Sequence, residues 1–490
     1  MGVPGSAAPF LLAKPRPYLI ERSLRFNSAD SASLSLVSYT GSGTFSCWVK
    51  RCKLGAAQTI ISGVAFNASD QLNGSTAVFR DPSAWMHIVV SSSGTYVNGA
   101  SVGSGTSITP SAIGSGCDLY LADVHFIDGQ NLGPSSFGAA DSNGIWQPKT
   151  YSGTYGTNGF HLTFSDNSTA ASLGDDSSHS GNNWTVNNIS VATGAGNDSL
   201  VDVPTNGSQT DTGAGNEARG NYCTVNPLHL TRYSSSGNFT LSNGNLDLSI
   251  TSTGDTGVYS TFFLSTGKWY WEVAVTSLST SLNSIGFSVA GAEYYIGYSS
   301  GSYGYRNDGL KIQDAGGSGG SSSYGATYAA NDVIGIALDL DNGTAVFYKN
   351  GVSQGTAFTG LSGSFSPAFG RSGGTSDFTV SCNFGQRPFA YPVSGFKALC
   401  AANLPSTTIT TSGSYTGNGV ADGPFVFLNG VPTAMTVNGN AVTFGTHADK
   451  LSNGFKIRTT STTYNQNASV YSYTITSTGD PFKTARAQSN

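Results

Sequence analysis

Two stretches of the chain decide its fold: GKWYWEV at residues 267–273 and DVIGIALDLDNGTAVFYKNG at residues 332–351. Both are rich in β-branched and aromatic residues, which are enriched in strands. The second is divided by Asp341-Asn342-Gly343, a combination that favours a hairpin turn. Asp339, Asp341 and Asn342 also supply oxygens for calcium, but they lack the further ligands and the Glu of an EF-type loop. We therefore predict a β-hairpin.

Two later stretches extend this pattern: FSPAFGR at residues 365–371 and CNFGQRPF at residues 382–389. Together and in this order, the four stretches resemble a SPRY (B30.2-like) domain. The resemblance implies a β-sandwich that binds a ligand, and we predict that it spans residues 221–396.

The composition indicates an all-β chain, and its charge and apolar runs argue against nucleic-acid binding and membrane insertion. Only 10% of the 490 residues are charged, and the chain contains 64 Gly, 23 Tyr and 26 Phe, as in proteins with many short strands and turns. The net charge is -5 without a basic tract, so we predict no nucleic-acid partner. No apolar run approaches the roughly 20 residues that span a bilayer, so we predict no membrane insertion.

A second sandwich is predicted upstream. Residues 45–50 (FSCWVK), 85–88 (WMHI), 96–99 (YVNG) and 123–134 follow one another in an order that resembles a concanavalin A-like or laminin-G-like jelly roll. The Asn98-Gly99 step supplies the positive φ of a tight hairpin. We predict that this unit spans residues 23–202, and the resemblance leaves a calcium ion open without selecting its ligands.

The rest of the chain divides into an arm, a linker and a third unit. Residues 1–22 contain four prolines and read as an extended arm; its predicted assembly contacts are Phe10, Leu11, Leu12 and Tyr18. The polar stretch 203–220 reads as a linker. Two Asn-Gly steps after residue 397 indicate a small C-terminal β domain over residues 397–490.

The sequence offers no recognisable catalytic or metal-binding set. The histidines are scattered, at His87, His125, His161, His179, His229 and His447. A strand histidine such as His87 is more often packed than a ligand. Glu is rare, and no nucleophile elbow stands before a helix. The six cysteines form no CxxC pair and read as reduced, small apolar residues. We predict no catalytic residues, no metal, no cofactor and no enzyme activity.

Aromatic and polar side chains concentrate in the second sandwich. Sugars are bound by aromatic faces together with planar polar groups. On that basis the ligand-binding candidates are Tyr295, Tyr303, Tyr305, Arg306 and Asp308. The alternative is that alternate tyrosines of these strands face the core, leaving Arg306 and Asp308 at the surface.

The combination of a proline arm, two sandwiches and a short β tail resembles a tailed-phage virion protein. Residues 126–130, 146–149 and 213–222 add to this resemblance. It implies a tail fibre or appendage in the virion, made in the host cytoplasm. Its expected partners are other virion proteins, two further copies in a homotrimer, and a host-surface glycan. The alternatives are a capsid decoration protein without receptor binding, a cellular carbohydrate-binding adhesin and a polysaccharide-degrading enzyme.

Overall fold

A computed structural model describes most of the chain. The described residues are 18–36, 39, 42–141, 144–207, 219–230, 239–251, 254–278, 282–292, 294–317, 320–372, 378–404, 412–428 and 430–478. Of the predicted arm contacts, Phe10, Leu11 and Leu12 lie outside these residues, as does most of the predicted linker.

The first unit is a sandwich of short antiparallel strands. Its strands are β1 (Ser23–Phe26), β2 (Ser33–Ser35), β3 (Gly43–Arg51), β4 (Gln58–Ile61), β5 (Val64–Phe66), β6 (Trp85–Ser91), β7 (Gly94–Val97), β8 (Ala100–Gly103), β9 (Ala112–Ile113), β10 (Leu119–Asp128), β11 (Gly138–Ala140), β12 (Trp146–Pro148), β13 (Phe160–Leu162), β14 (Thr185–Asn187) and β15 (Ser199–Leu200). An eight-stranded sheet runs in the order β15-β1-β10-β3-β6-β7-β8, with β13 also paired to β10. A smaller sheet, β14-β2-β9, shares one apolar core with it.

The outer face of the large sheet is covered as well. The described residues between 132 and 155, which include the β11–β12 hairpin, pack on this face together with residues near both ends of the unit. As a result β3, β6 and almost all of β10 are buried along both faces. Beneath this cover Trp146 stacks on His87, with ring centroids 6.1 Å apart. The predicted Asn98-Gly99 hairpin joins β7 and β8, with φ of 45° and 83° at its two residues.

The second unit is a sandwich of two seven-stranded sheets. Its strands are β16 (Val225–Leu230), β17 (Phe239–Ser242), β18 (Asp247–Ile250), β19 (Thr256–Ser260), β20 (Lys268–Leu278), β21 (Leu282–Val289), β22 (Ser302–Arg306), β23 (Leu310–Gln313), β24 (Gly320–Ser323), β25 (Val333–Asp339), β26 (Thr344–Lys349), β27 (Val352–Phe358), β28 (Phe365–Ser372) and β29 (Phe378–Asn383). One sheet runs β16-β19-β28-β21-β22-β23-β24 and the other β17-β18-β29-β20-β25-β26-β27.

Residues 267–273 and 332–351 form the centre of the second sheet. β20 pairs with β25 so that Trp271 faces Ile336 across the strands. Because side chains alternate along a strand, Trp269, Trp271 and Val273 enter the core, while Glu272 points to the opposite face. There the Glu272 carboxylate accepts the backbone N–H groups of Ala390 and Tyr391 at 2.8 and 2.6 Å. The predicted turn at Gly343 joins β25 to β26.

The third unit is smaller. Its elements are β30 (Ser412–Thr416), β31 (Phe425–Phe427), β32 (Val431–Val437), β33 (Asn440–Ala441), β34 (Ala448–Leu451), β35 (Gly454–Ile457), α1 (Thr462–Asn465) and β36 (Val470–Thr478). The strands form the sheets β30-β36-β32-β33 and β31-β35-β34. Short 3₁₀ helices elsewhere are Ser28–Asp30, Pro134–Ser136, Ala171–Gly174 and Ala401–Asn403. Within the described ranges, no helix is long and apolar enough to cross a membrane.

The prediction of an all-β, multi-sandwich chain is confirmed. Leu399 and Ala401 are buried in the core of the second unit, beyond the predicted boundary at residue 396. We therefore propose domain limits close to the predicted ones, with the second unit extended to Ala401. All six cysteines are buried and free.

A buried ion pair joins the first unit to the chain that enters the second. The Lys50 ammonium on β3 donates to Asp202 Oδ2 at 2.8 Å, to Asn221 Oδ1 at 2.8 Å and to the Tyr222 carbonyl at 2.9 Å. Trp85 Nε1 donates to Asp202 Oδ1 at 2.9 Å. Burial raises the pKa of Asp202, and the Lys50 charge and hydrogen bonds oppose that rise.

Residues 80–83, here called the bridge loop, connect all three units. The Asp81 carboxylate accepts the Ser452 N–H at 2.6 Å, and the Ser83 and Ser452 hydroxyls are 3.0 Å apart. The Ser83 carbonyl also accepts Asn221 Nδ2 at 2.7 Å. The three sandwiches are therefore held against one another by buried polar contacts.

An aromatic cluster packs between the second unit and the third. His229 of β16 stacks on Tyr259 at a centroid distance of 4.3 Å and contacts Phe425 of β31 at 4.7 Å. His229 Nδ1 is buried and has no hydrogen-bond partner among the residues that the structure describes. Burial, with a smaller contribution from the Lys456 charge, lowers the pKa of His229 to about 3.

We predict that His229→Phe makes the protein more resistant to acid. An unfolded histidine takes up a proton near pH 6.5, so the folded pKa of His229 is the lower one. Its contribution to stability is complete above about pH 6.5 and falls as the pH drops toward about 3. Removing this titration should recover about 2–3 kcal/mol of apparent stability at about pH 4.5. Guanidinium midpoints at neutral and acid pH measure this difference. The exposed-site variant His179→Asn is the control, and equal acid sensitivity of His229→Phe and the wild type would contradict the prediction.

Candidate functional site

Two of the predicted ligand-binding tyrosines lie on β22 and face inward. Tyr305 is fully buried, its ring packs against Tyr328 and Phe347 at 5.2 and 5.4 Å, and its hydroxyl donates to the Ala326 carbonyl. Tyr303, two residues earlier and so on the same face, packs against Phe358 at 5.0 Å. Burial raises the pKa of Tyr305 to about 12. The structure therefore places Tyr305 out of reach of a surface ligand and leaves Tyr303 partly exposed.

Arg306 and Asp308 pair with each other at the turn between β22 and β23. The Arg306 guanidinium forms an ion pair with the Asp308 carboxylate, which also accepts the Leu310 N–H at 3.3 Å. The pair satisfies both charges within the turn. Asp308 is exposed, as the sequence suggested, and Arg306 is partly exposed.

Tyr295 belongs to a tyrosine cluster on the loop between β21 and β22. Its ring centroid lies 5.4 Å from that of Tyr298, and the ring centroid of Tyr294 lies 4.5 Å from that of Tyr298. All three rings are partly exposed. Tyr298 was not among the predicted site residues, although it is the member that the other two contact.

Beside this cluster is an open surface pocket of about 370 Å³, here called the tyrosine pocket. Its lining includes Tyr298, Ala290, Ala292, Ser300, Asp314 and Gly316. Most of these side chains are small, so the pocket has room for a side chain of another molecule. A Cβ at Gly316 would overlap the Tyr298 ring, so glycine at this position sets where the ring lies.

Asp314 supplies the charge of the tyrosine pocket. Asp314 adopts a left-handed backbone conformation, with φ of 45°, at the end of β23. No ion pair reaches its carboxylate from the part of the chain that the structure describes. Nothing in the sequence pairs Asp314 or Gly316 with Tyr298.

A second cluster of chemically capable residues lies in the first unit, under the cover of the large sheet. Asp123 Oδ1 accepts His161 Nε2 at 2.8 Å and the Tyr18 hydroxyl at 2.7 Å, and His125 Nε2 lies 3.3 Å from Asp123 Oδ2. The two imidazoles stack with centroids 4.0 Å apart. Tyr18, predicted as an arm contact, therefore bonds to its own chain.

The electrostatics of this cluster favour the charged form of the Asp123 carboxylate and the neutral form of the His125 ring. Burial opposes ionisation of Asp123, but the contacts with His125 and His161 outweigh it and hold the pKa of Asp123 well below its usual range. Burial, followed by the neighbouring His161, lowers the pKa of His125. Sequence reasoning treated these histidines as scattered and missed the cluster.

The second unit contains a SPRY domain. A family model described as "SPRY domain" matches residues 268–387. The E3 ubiquitin-protein ligase RKP of Arabidopsis thaliana is 34% identical over 140 residues, 27% of this chain and 10% of that protein. Ran-binding protein 10 of Danio rerio is 34% identical over 143 residues, 29% of this chain and 23% of that protein. The solved SPRY domain of human HERC1 is 17% identical, with a TM-score of 0.27, over 32% of this chain and 96% of that one.

These relatives correct the predicted function. The proteins that share the SPRY region are cellular proteins of a plant and a fish, so the assignment to a tailed-phage virion is wrong. Several further predictions depended on that assignment and are dropped with it. They are the tail-fibre, appendage and capsid-decoration roles, the virion partners and location, the homotrimer and the host-surface glycan. The error arose because sandwich motifs specify a fold that serves many functions.

We predict that two tyrosines of the second unit respond oppositely to truncation. Tyr305→Ala should lower the stability of the protein by about 3–5 kcal/mol, because it empties a large site in the core. Tyr298→Ala should change it by less than about 1 kcal/mol, because the ring is partly exposed and its neighbours can relax. Chemical denaturation of both variants measures the contrast. A loss of equal size in the two variants would contradict the assignment of Tyr305 to the core and Tyr298 to the surface.

Proposed function

We propose that this chain is a cellular interaction protein whose SPRY domain binds a segment of a partner protein at the tyrosine pocket. The observation that supports the proposal is the open pocket itself, lined by Tyr298 and Asp314 within the region that matches the SPRY family. The names of two relatives, a Ran-binding protein and a ubiquitin ligase, belong to proteins of which this chain spans a small part. They support interaction with protein as the general class.

The chemistry of the pocket selects a basic partner segment. The exposed faces of tyrosine rings attract a guanidinium or ammonium group by about 0.5–1 kcal/mol at an accessible site. Asp314 adds a carboxylate at the same rim, and a bidentate Arg–carboxylate contact is stronger than a neutral hydrogen bond. The small lining residues leave space for the aliphatic stem of the partner side chain. We infer that an Arg or Lys side chain of the partner enters the pocket.

Binding rather than catalysis suits the lining. The described residues that line the tyrosine pocket offer one carboxylate, three hydroxyl groups and one aromatic ring, with no histidine or cysteine among them. General acid–base or nucleophilic catalysis needs a base placed beside a nucleophile. We therefore keep the non-enzymatic assignment as part of the proposal.

Selection of peptides from a random display library on the purified protein tests the proposal. We expect enrichment of peptides that share an Arg or Lys, with dissociation constants in the micromolar range because one pocket buries little surface. Asp314→Lys should weaken the selected peptides by about ten-fold or more, since it places like charges in contact. Tyr298→Ala should weaken them as well.

Asp175→Lys is the matched control, because it makes the same charge change on an exposed loop of the first unit and should leave affinity unchanged. Equal affinity in the Asp314→Lys and Asp175→Lys variants would place the binding surface elsewhere. If no peptide is enriched and the protein binds stoichiometrically on a glycan array, the partner is a carbohydrate and not a protein.

A further inference from the structure

We propose that Asp123, His125 and His161 form a binding site for one zinc ion. The carboxylate oxygens and the imidazole nitrogens of these residues all lie within 4.8 Å of one another. The 3.3 Å between His125 Nε2 and Asp123 Oδ2 matches the separation of about 3.3–3.6 Å between neighbouring ligands of a tetrahedral ion whose metal–ligand bonds are about 2.0–2.2 Å long. The 2.8 Å between His161 Nε2 and Asp123 Oδ1 is the length of a hydrogen bond, and this separation would lengthen when an ion enters.

The backbone brings the three ligands together before any metal arrives. His125 on β10 and His161 on β13 are directly opposite each other in an antiparallel pair, and opposed side chains in such pairs are close neighbours. The register of β10 against β3 shifts between Ala122 and His125, which marks a β-bulge. Asp123 sits in this bulge with φ of 52°, and the bulge aims its carboxylate at both rings.

Further residues orient the ligands. His125 Nδ1 lies 2.9 Å from the Tyr155 hydroxyl, the kind of outer contact that fixes the tautomer of a metal-binding histidine. The Tyr18 hydroxyl donates to the carboxylate of Asp123. Through this 2.7 Å hydrogen bond Tyr18 holds the Asp123 carboxylate in place. A water molecule then completes four-fold coordination.

The donor set restricts the choice of metal. Two imidazoles and one carboxylate are a ligand set of zinc and also of iron(II), whereas calcium and magnesium prefer oxygen ligands alone. We commit to zinc. Metal binding requires unprotonated Nε2 atoms. His125 is in that state in the tautomer that carries its proton on Nδ1. In this tautomer the Nδ1–H group donates a hydrogen bond to the Tyr155 oxygen.

The metal would cross-link two strands of the first unit. β10 is central in the large sheet, whereas β13 is a strand of three residues that branches off that sheet and pairs with β10. Zinc bound by both strands would fasten this short strand to the sheet. The side chain of His161 remains 15% exposed, which gives an ion a path from solvent.

The same atoms also form a hydrogen-bonded network without metal, because Asp123 accepts from the Tyr18 hydroxyl and both rings. The two states differ in a measurable property. A network that serves only packing binds zinc no better than any surface histidine, whereas a site binds one ion per chain and imposes a tetrahedral environment on it.

The test uses the full-length chain without a histidine tag, stripped with a chelator and titrated with zinc and, separately, with cobalt. We expect one zinc per chain by elemental analysis and the visible absorption of tetrahedral cobalt. His161→Asn should weaken zinc by about 100-fold or more, because it removes one of three ligands. Tyr155→Phe should weaken it by about ten-fold, the size of a typical outer-shell effect.

His179→Asn is the matched control, because His179 lies on an exposed loop with a left-handed backbone that asparagine tolerates; it should bind zinc like the wild type. Circular dichroism and thermal unfolding verify that each variant folds. His161 is the least buried of the three ligands, so His161→Asn keeps the test valid even where Asp123→Asn does not fold. Absence of stoichiometric zinc in the wild type, or equal affinity in the wild type and His161→Asn, would overturn the proposal.

Discussion

The arrangement of the three sandwiches depends on the buried pair of Lys50 and Asp202. A buried ion pair gains little net stability unless further hydrogen bonds satisfy both groups. Here the Lys50 ammonium has three oxygen acceptors, and the Asp202 carboxylate also accepts from Trp85. Because these partners come from β3, β6 and the chain entering the second unit, the pair selects one relative position for the first two sandwiches. The bridge loop then extends this order to the third.

Local features of the fold were readable from the sequence because they depend on neighbours in the chain. Asn98-Gly99 and Asp341-Asn342-Gly343 form the hairpins that their turn chemistry requires, and GKWYWEV becomes a central strand. The sequence did not predict equally well which tyrosine side chains point into the core. Period two places Tyr303 and Tyr305 on one face of β22, but only the packing of the two sheets decides that this face is the core.

The cluster of Asp123, His125 and His161 is a site that the sequence did not predict. Asp123 and His161 are 38 positions apart in the chain, and their contact depends on the register of β10 against β13. That register in turn depends on a β-bulge, one extra residue in a strand, which the local composition does not predict. The tyrosine pocket has the same origin, because Asp314 and Gly316 approach Tyr298 only after β22 and β23 have paired.

The shared orientation of the units bears on how this chain could work. Domains joined by small polar interfaces usually move relative to one another. In this chain the contacts between units are buried, with Lys50, Asn221 and Ser452 hydrogen-bonded across them, so specific buried contacts define how the units are placed. A partner held at the tyrosine pocket would therefore keep a defined position relative to the first sandwich and its Asp–His cluster. Rigid presentation of one binding surface is the physical property that an interaction scaffold needs, and it reduces the entropy that ordering would otherwise cost on binding.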